Sequence, residues 1–184
     1  TKGSLSVAIG AGALGGQNFT TATSSQNTAV GYHAGVSVTT GIENVLIGNQ
    51  AGDALTDADH NVSVGYASLS TDTLGSQSTA IGHFALNTQN MTTATDTNNT
   101  AVGFFAGRTV TTGTSLTFIG ASSGEANGVA VDNTGVGKES LKSNTTGHYN
   151  TAVGSQALKA LNHSTSTLAR NTAVGYNAGT AMTT

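Results

Sequence analysis

The residues able to perform acid–base or metal chemistry are few, and their spacing is unlike that of a catalytic or metal site. None of the five histidines forms the His-x-His or His-x₃-His pairs that hold a metal. Asp57, Asp59 and His60 lie close together, but no further oxygen ligands follow at loop spacing, so we interpret them as a solvated acidic turn. We therefore predict no metal site and no cofactor. The histidines are His33, His60, His83, His148 and His163.

The serine, glycine and carboxylate patterns also predict no enzyme. No Gly-x-Ser-x-Gly elbow stands between a strand and a helix. Gly-x-Gly runs belong to a repeat and open no helix, so they indicate no phosphate loop. Cleavage of a surface polysaccharide would need paired carboxylates, and Glu43, Glu125 and Glu139 have no aspartate partner at such a spacing. An enzyme that cleaves surface polysaccharide is therefore the last of our alternatives, and an assay of sugar release would test it.

The positions of these residues follow a repeat that runs along the chain. The sequence NTAVGYNAG at 171–179 has near-copies at 27–35 and 99–107. Ten copies share a core glycine, spaced 17 residues apart, with 21 at every fourth interval and a super-period of 72. We interpret this as duplication of a four-repeat unit. The core glycines are Gly10, Gly31, Gly48, Gly65, Gly82, Gly103, Gly120, Gly137, Gly154 and Gly175.

A period of 17 residues predicts a β-solenoid coil made of two short strands and two turns, because helical repeats run to about 33–47 residues. The residue before each core glycine is Val or Ile, and two residues earlier stands Val or Thr. Strand periodicity places these two positions on one face. The residue between them is mostly Ala, with Leu46, Ser63, Phe118 and Gly135 as the exceptions; it faces the other way and tolerates variety. We predict an all-β parallel β-roll or β-solenoid of about ten coils, one array over 1–184.

Glycine and asparagine are the expected corner residues of each coil. Glycine takes a positive φ without strain. Asparagine stands four residues before the core glycine in seven copies. It could shape turns, or it could stack into a ladder of amide hydrogen bonds along the axis, and we prefer the turn interpretation for each residue taken alone. Three residues after the glycine stands Ala or Ser, which indicates close approach of backbones.

The long intervals place extra residues at 17–26, 89–98 and 161–170, which should bulge from one side at every fourth coil. Phe19, Met91 and His163 occupy one column of these insertions. A variable large residue on a surface loop is a candidate receptor contact. The alternative is that each loop packs this residue back onto its coil, and the sequence does not decide between the two.

Composition excludes several classes of function. Six Lys plus Arg and a net charge of −3 argue against a nucleic-acid partner. No apolar run reaches the ~18 residues of a membrane span. The absence of cysteine fits an extracellular or virion protein. No secretory signal is visible at Thr1, and we expect the array to be a piece of a longer fibrous protein with flanking domains.

The motif Asn-Thr-Ala-Val-Gly-Tyr-x-Ala-Gly/Leu, with Ser-Asn-Thr-Thr-Gly at 143–147, resembles repeats of phage tail fibres and bacterial surface proteins. Ser-Val-Ala-Ile-Gly at 6–10 is similar to head repeats of trimeric autotransporter adhesins, whose repeats are usually shorter. The resemblance covers the whole chain. It implies a left-handed parallel β-roll in each chain, with three rolls around a threefold axis.

We expect a shaft or head segment of a homotrimeric attachment protein, with a phage tail fibre first and a bacterial surface adhesin second. Its location would be the virion or the cell surface. Its partners would be two further copies, flanking fibre domains, and a cell-surface glycan or protein receptor. A monomeric β-solenoid, such as an ice-binding or matrix protein, is the alternative from another class, and thermal hysteresis would test the ice-binding form.

Overall fold

The computed structural model describes residues 3–183, and within them the chain forms sixteen β-strands and no helix. The predicted all-β class is confirmed. The strands are β1 (Gly3–Ser4), β2 (Val7–Ile9), β3 (Thr23–Ser24), β4 (Thr28–Val30), β5 (Val45–Ile47), β6 (Val62–Val64), β7 (Gly75–Ser76), β8 (Thr79–Ile81), β9 (Thr95–Asp96), β10 (Thr100–Val102), β11 (Thr117–Ile119), β12 (Thr134–Val136), β13 (Gly147–His148), β14 (Thr151–Val153), β15 (Thr167–Leu168) and β16 (Thr172–Val174).

Ten three-residue strands, one from each repeat, form a single parallel sheet in the order in which they occur along the chain. Equivalent residues pair, so that Thr100, Ala101 and Val102 oppose Thr117, Phe118 and Ile119. Each repeat position therefore becomes a column of stacked residues along the axis. The molecule is a β-solenoid of about ten coils, roughly 45 Å long at the usual strand spacing.

The strand positions face opposite ways, and the variable middle position faces the core. Ala29, Leu46 and Phe118 are fully buried. The flanking Val, Ile and Thr residues share one face, as predicted, but that face is the outer one: Ile47 and Ile119 are 38% and 40% exposed. The middle position does face the other way, as predicted, but it faces the core, so its residue type is limited by what packs beside it.

Large and small residues alternate inside the coil and compensate one another. A Cβ on Gly52 would lie 2.8 Å from Cδ2 of Leu46, and one on Gly107 would lie 3.3 Å from Cδ2 of Phe118. Five of the coils with a small middle residue place a leucine at the glycine position instead, as Leu86 does, whereas in the coils of Ala29 and Ala101 the glycine is kept and side chains of adjacent coils fill the space. Leu46 and Phe118 are 72 residues apart, so this size pattern recurs once per super-period, a physical correlate of the four-repeat unit.

The second side of each coil contains turns rather than the predicted second strand. The reason is the backbone: two positions on this side, two and four residues after the core glycine, have a positive φ in all ten coils. Leu86 is an example with φ 47°, and alternating left-handed residues break an extended strand. Bonds between coils persist, as in Leu69 N–H donating to Ala85 O at 2.9 Å.

The core glycines have φ values of 123–140°, which confirms their predicted corner role. Only residues without a Cβ adopt this conformation readily. The asparagines, by contrast, are not left-handed; the residue before each takes the positive φ, as Glu43 does before Asn44 at 58°.

The asparagines form the buried amide ladder that was the alternative interpretation. Asn27 Oδ1 accepts the N–H of Asn44 at 2.9 Å, and Asn44 Oδ1 accepts the N–H of Asn61 at 2.9 Å. Five of the seven Nδ2 groups also donate to a main-chain carbonyl of the next coil, as Asn44 does to Ala58 O, 2.8 Å away. The ladder is interrupted where Ser78 and Leu116 replace asparagine. It resumes at Asn99, Asn133, Asn150 and Asn171.

Each long interval adds a two-residue strand that pairs with the neighbouring coil: β3 with β1, β9 with β7, and β15 with β13. The three loops share a local bond from a threonine hydroxyl to the carbonyl two residues earlier. Thr23, Thr95 and Thr167 donate at 3.2, 2.9 and 2.9 Å. The insertions are therefore ordered extensions of the stack at every fourth coil.

Candidate functional site

The described residues 3–183 contain no group of three His, Asp or Glu side chains placed to hold a metal, and they enclose no pocket. In the same part of the chain there is no helix long and apolar enough to cross a membrane. A binding role must therefore be sought on the outer surface of the coils.

The residues of the predicted acidic turn form hydrogen bonds and an ion pair with the preceding coil. Asp59 Oδ1 accepts the N–H of Ile42 at 2.8 Å, and Asp57 Oδ1 accepts the hydroxyl of Thr40. His60 Nε2 lies 3.3 Å from Glu43 Oε2. The three predicted turn residues thus bind the preceding coil rather than converge on one point.

Phe19, Met91 and His163 are brought to equivalent places but do not project outward together. Phe19 and Met91 are 7% and 4% exposed. Phe19 lies against Gly3, where a Cβ would be 2.9 Å from its ring. His163 is half-buried, and its Nε2 has no hydrogen-bond partner within residues 3–183. The loops therefore pack Phe19 and Met91 back onto the coil, which leaves little of either side chain exposed for contact with a receptor.

Aromatic side chains are concentrated at one corner, which we call the aromatic corner, just after the core glycine. Tyr66, His83 and Phe104 stack along the axis, with ring centroids 5.2 and 5.4 Å apart. The Arg108 guanidinium lies 4.6 Å from the Phe105 ring centroid. The Phe and Tyr members of the corner, six of the nine in the chain, are Tyr32, Tyr66, Phe84, Phe104, Phe105 and Tyr176.

A ladder of ion pairs lies on the second side of the coils. Glu125 pairs with Arg108 at 3.0 Å and with Lys142 at 3.7 Å. Glu139 pairs with Lys142 at 3.1 Å and with Lys159 at 2.7 Å. Hydrogen bonds from Lys159 and then Lys142 lower the pKa of Glu139 to about 2.

Two buried polar features were not visible in the sequence. Asp72 is fully buried and accepts Gln89 Nε2 at 2.6 Å, Gly75 N–H at 3.1 Å and Met91 N–H at 3.0 Å. Asn127 is also fully buried, but neither atom of its amide has a partner within the described chain. Both residues stand seven residues after a core glycine, the repeat position that the buried Leu55 also occupies. Only this shared position could have indicated that they are buried.

The largest unpartnered surface is the outer face of the ten-stranded sheet, which we call the sheet face. Its two central columns are apolar or threonine, the Val/Ile column and the Val/Thr column that flank the buried middle position. The side chains of Ile9, Ile47, Ile81, Ile119, Val153 and Val174 are each more than a third exposed. An exposed apolar strip of this kind is typical of interaction surfaces.

Two further columns border the sheet face. The leading edge, one residue after each core glycine, holds Ala11, Tyr32, Asn49, Tyr66, His83, Phe104, Ala121, Lys138, Ser155 and Tyr176. The trailing edge, five residues before it, holds Leu5, Gln26, Glu43, His60, Gln77, Asn98, Ser115, Asp132, Tyr149 and Arg170. The trailing-edge residues are all exposed, and all have a positive φ of 50–62°. The sheet face is therefore an apolar band with polar, aromatic and charged borders.

Comparison of the chain with protein-family models, with curated proteins and with solved structures gave no match.

Proposed function

We propose that this chain is a structural segment, shaft or head, of a homotrimeric fibrous attachment protein, a phage tail fibre in the first place. Such a segment presents or forms a receptor-binding surface outside the cell. A bacterial surface adhesin head is the alternative within the same class. Both proposals rest on the same physical feature.

That feature is the exposed apolar sheet face. A face about 20 Å wide and about 45 Å long covers roughly 900 Å², comparable with the ~800 Å² per partner of a stable interface. Burying it among identical copies removes apolar surface from water at about 25 cal/mol per Å². Association around an axis parallel to the solenoid is the symmetric way to cover all ten coils at once.

The rest of the molecule suits a rod that works by stiffness and number. Main-sheet pairing and the asparagine ladder link successive coils. Three parallel rods would present three identical outer surfaces, so weak single contacts with a glycan or protein receptor would add as avidity. We propose no enzymatic activity, cofactor or nucleic-acid partner.

Light scattering behind size exclusion tests the assembly. We expect a mass three times the 18.2 kDa of the chain. Ile81→Glu combined with Ile119→Glu should give monomers with unchanged β-sheet circular dichroism, because both side chains point to solvent within one chain. Thr112→Glu, an exposed position away from the sheet face, is the matched control and should leave the mass unchanged.

A folded wild-type monomer would overturn the trimer. It would promote the second candidate, a monomeric ice-binding solenoid, which one observation favours. Six consecutive coils place threonine in register on the sheet face, from Thr79 to Thr172. A regular row of hydroxyl and methyl groups is a surface able to order water. Thermal hysteresis of the monomer tests this function, and its absence would exclude it.

A further inference from the structure

The two borders of the sheet face complement each other, and this indicates how copies pack side by side. Resting on the proposed assembly of parallel copies, we propose that the leading edge of each copy packs against the trailing edge of the next copy at the same coil. Lys138 then pairs with Asp132 of the neighbouring copy, and Tyr176 stacks on Arg170 of the neighbouring copy.

The geometry of one chain prevents these pairs from forming within it. Lys138 and Asp132 belong to the same coil and flank β12 on opposite sides, six residues apart. An extended segment of that length separates them by about 20 Å. Rotation about an axis parallel to the solenoid brings opposite borders of two copies together at one level, in a ring of any number.

Lys138 and Asp132 lack charged partners within the described chain, unlike Glu43 and His60 of the trailing edge, which pair with each other. Within residues 3–183, Glu125 and Glu139 pair with Arg108, Lys142 and Lys159, whereas neither Lys138 nor Asp132 has an ion-pair partner. Both side chains are exposed. Pairing across copies would give each an opposite charge at the rim of the interface.

Arg170 also has room for a partner from a neighbouring copy, in this case an aromatic ring. Its guanidinium lies 5.9 Å from the Tyr149 ring centroid of the preceding coil, which leaves its other side open. Tyr176 occupies the leading edge of the same coil, a column in which the inner-coil aromatics Tyr32 and Phe104 are each 51% exposed. In the ring, the Tyr176 of one copy reaches the Arg170 of the next, and a guanidinium between two aromatic rings is a favourable arrangement.

The complementarity is lost when neighbouring copies shift along the axis by one coil. At equal height no coil brings two like charges together, and the first coil pairs Ala11 with Leu5. A shift by one coil places Lys138 opposite Ser115 or Tyr149, so the ion pair is lost. The borders therefore set the level at which copies meet, while the apolar columns supply the buried area.

A charge exchange tests the pairing. Lys138→Glu and Asp132→Lys, each alone, place like charges at every seam of the ring. Each should raise the protein concentration for half-assembly about tenfold. The double variant restores opposite charges and should assemble like the wild type. Thermal melts of all three check that the coils remain folded.

Cross-linking gives an independent readout, because the chain has no native cysteine. Lys138→Cys with Asp132→Cys, treated with a short bis-maleimide, should give covalent trimers on a denaturing gel. The reagent does not span the ~20 Å between these sites within one chain. Asn49→Cys with Asp132→Cys is the control, since these sites lie five coils apart, about 24 Å along the axis, and should not cross-link.

The outcomes separate the pairing from the proposed function. Covalent trimers with restored double-variant assembly support both. Covalent dimers with a dimeric mass support the pairing and overturn the three-copy assembly. A mass three times 18.2 kDa without cross-links or charge rescue overturns the pairing and leaves the trimer standing. A monomer overturns both.

Discussion

Phe118 lies against Gly124 so closely that the glycine has no room for a Cβ. Gly124 also has a positive φ of 56°. The ring fills the interior of its coil, and the backbone of the second side closes directly over it. In this coil the bulk of the phenylalanine ring is accommodated because the opposite wall is a glycine.

The first prediction concerns this pair. Gly124→Leu should destabilise the chain by about 1–3 kcal/mol, because overpacking forces the ring aside. Leucine itself is tolerated in this backbone conformation, as Leu141 shows in the next coil at φ 50°. Urea unfolding followed by circular dichroism measures the change.

Its control is the exchange Phe118→Ala with Gly124→Leu, which copies the Ala80 and Leu86 combination of another coil. The double variant should be more stable than the sum of the single changes predicts, by about 1 kcal/mol or more. Strict additivity would show that the two residues do not share one space.

The second prediction concerns the asparagine ladder. Asn44→Ala removes the acceptor of the Asn61 N–H and the donor to Ala58 O, and both groups remain buried. We expect a loss of about 2–4 kcal/mol, since an unsatisfied buried polar group costs about 1–3 kcal/mol. Chemical denaturation of Asn18→Ala, an exposed asparagine, should differ from the wild type by less than about 0.5 kcal/mol. Equal effects would refute the ladder as a stabilising element.

The third prediction concerns the unpartnered amide of Asn127. Asn127→Leu should stabilise the chain by about 1–2 kcal/mol, because it removes the cost of a buried amide without hydrogen bonds. The position 72 residues earlier is the buried Leu55, so the space suits leucine. The reciprocal Leu55→Asn should destabilise by a similar or larger amount. A lower melting temperature for Asn127→Leu would contradict this account.

The fourth prediction concerns pH. The pKa of Glu139 is lowered from 4.5 to about 2, so its ionised form is favoured by folding. Its contribution to stability is present above pH 4.5 and is lost as the pH falls through about 2. Glu139→Gln should lower the melting temperature at pH 7 but leave it nearly unchanged near pH 2. The effect is small, below about 1 kcal/mol, because the pairs are on the surface.

Asp96→Asn is the matched control, since Asp96 is exposed and in no ion pair within residues 3–183. It should leave the difference between pH 7 and pH 2 as in the wild type. High salt should reduce the Glu139→Gln effect through screening.

The periodicity of the sequence predicted the architecture because stacking turns each repeat position into a column. The spacing of Gly10, Gly31 and Gly48 already implied the coil, and the β-branched neighbours implied a strand. What periodicity does not decide is which parity faces inward. Here the position between the β-branched residues faces inward, as Ala29 does, and the β-branched Val30 turns outward.

The conformation of the backbone explains why the predicted second strand of each coil is absent. Nothing in the side chains of Phe84 or Glu139 marks them as left-handed, at φ 55° and 58°. Their conformation is imposed by the closure of the coil, so the second side became turns instead of a strand. The candidate sheet face was equally hidden, since Lys138 and Asp132 look like scattered surface charges until the coil places them on facing borders.

Coil-to-coil hydrogen bonds lie along the axis, and this decides how the rod responds to tension. Val45 N–H donates to Asn61 O, and Gly48 N–H donates to Val30 O, each across one coil boundary at 2.8 Å. When the two chain ends are pulled apart, the hydrogen bonds at one coil boundary break before those at the next boundary bear the load. Each freed coil of 17 residues lengthens the chain by about 56–61 Å, and each long one by about 69–76 Å. Force spectroscopy should record a sawtooth with every fourth step longer, so a strained filament would yield in increments while its remaining coils stay intact.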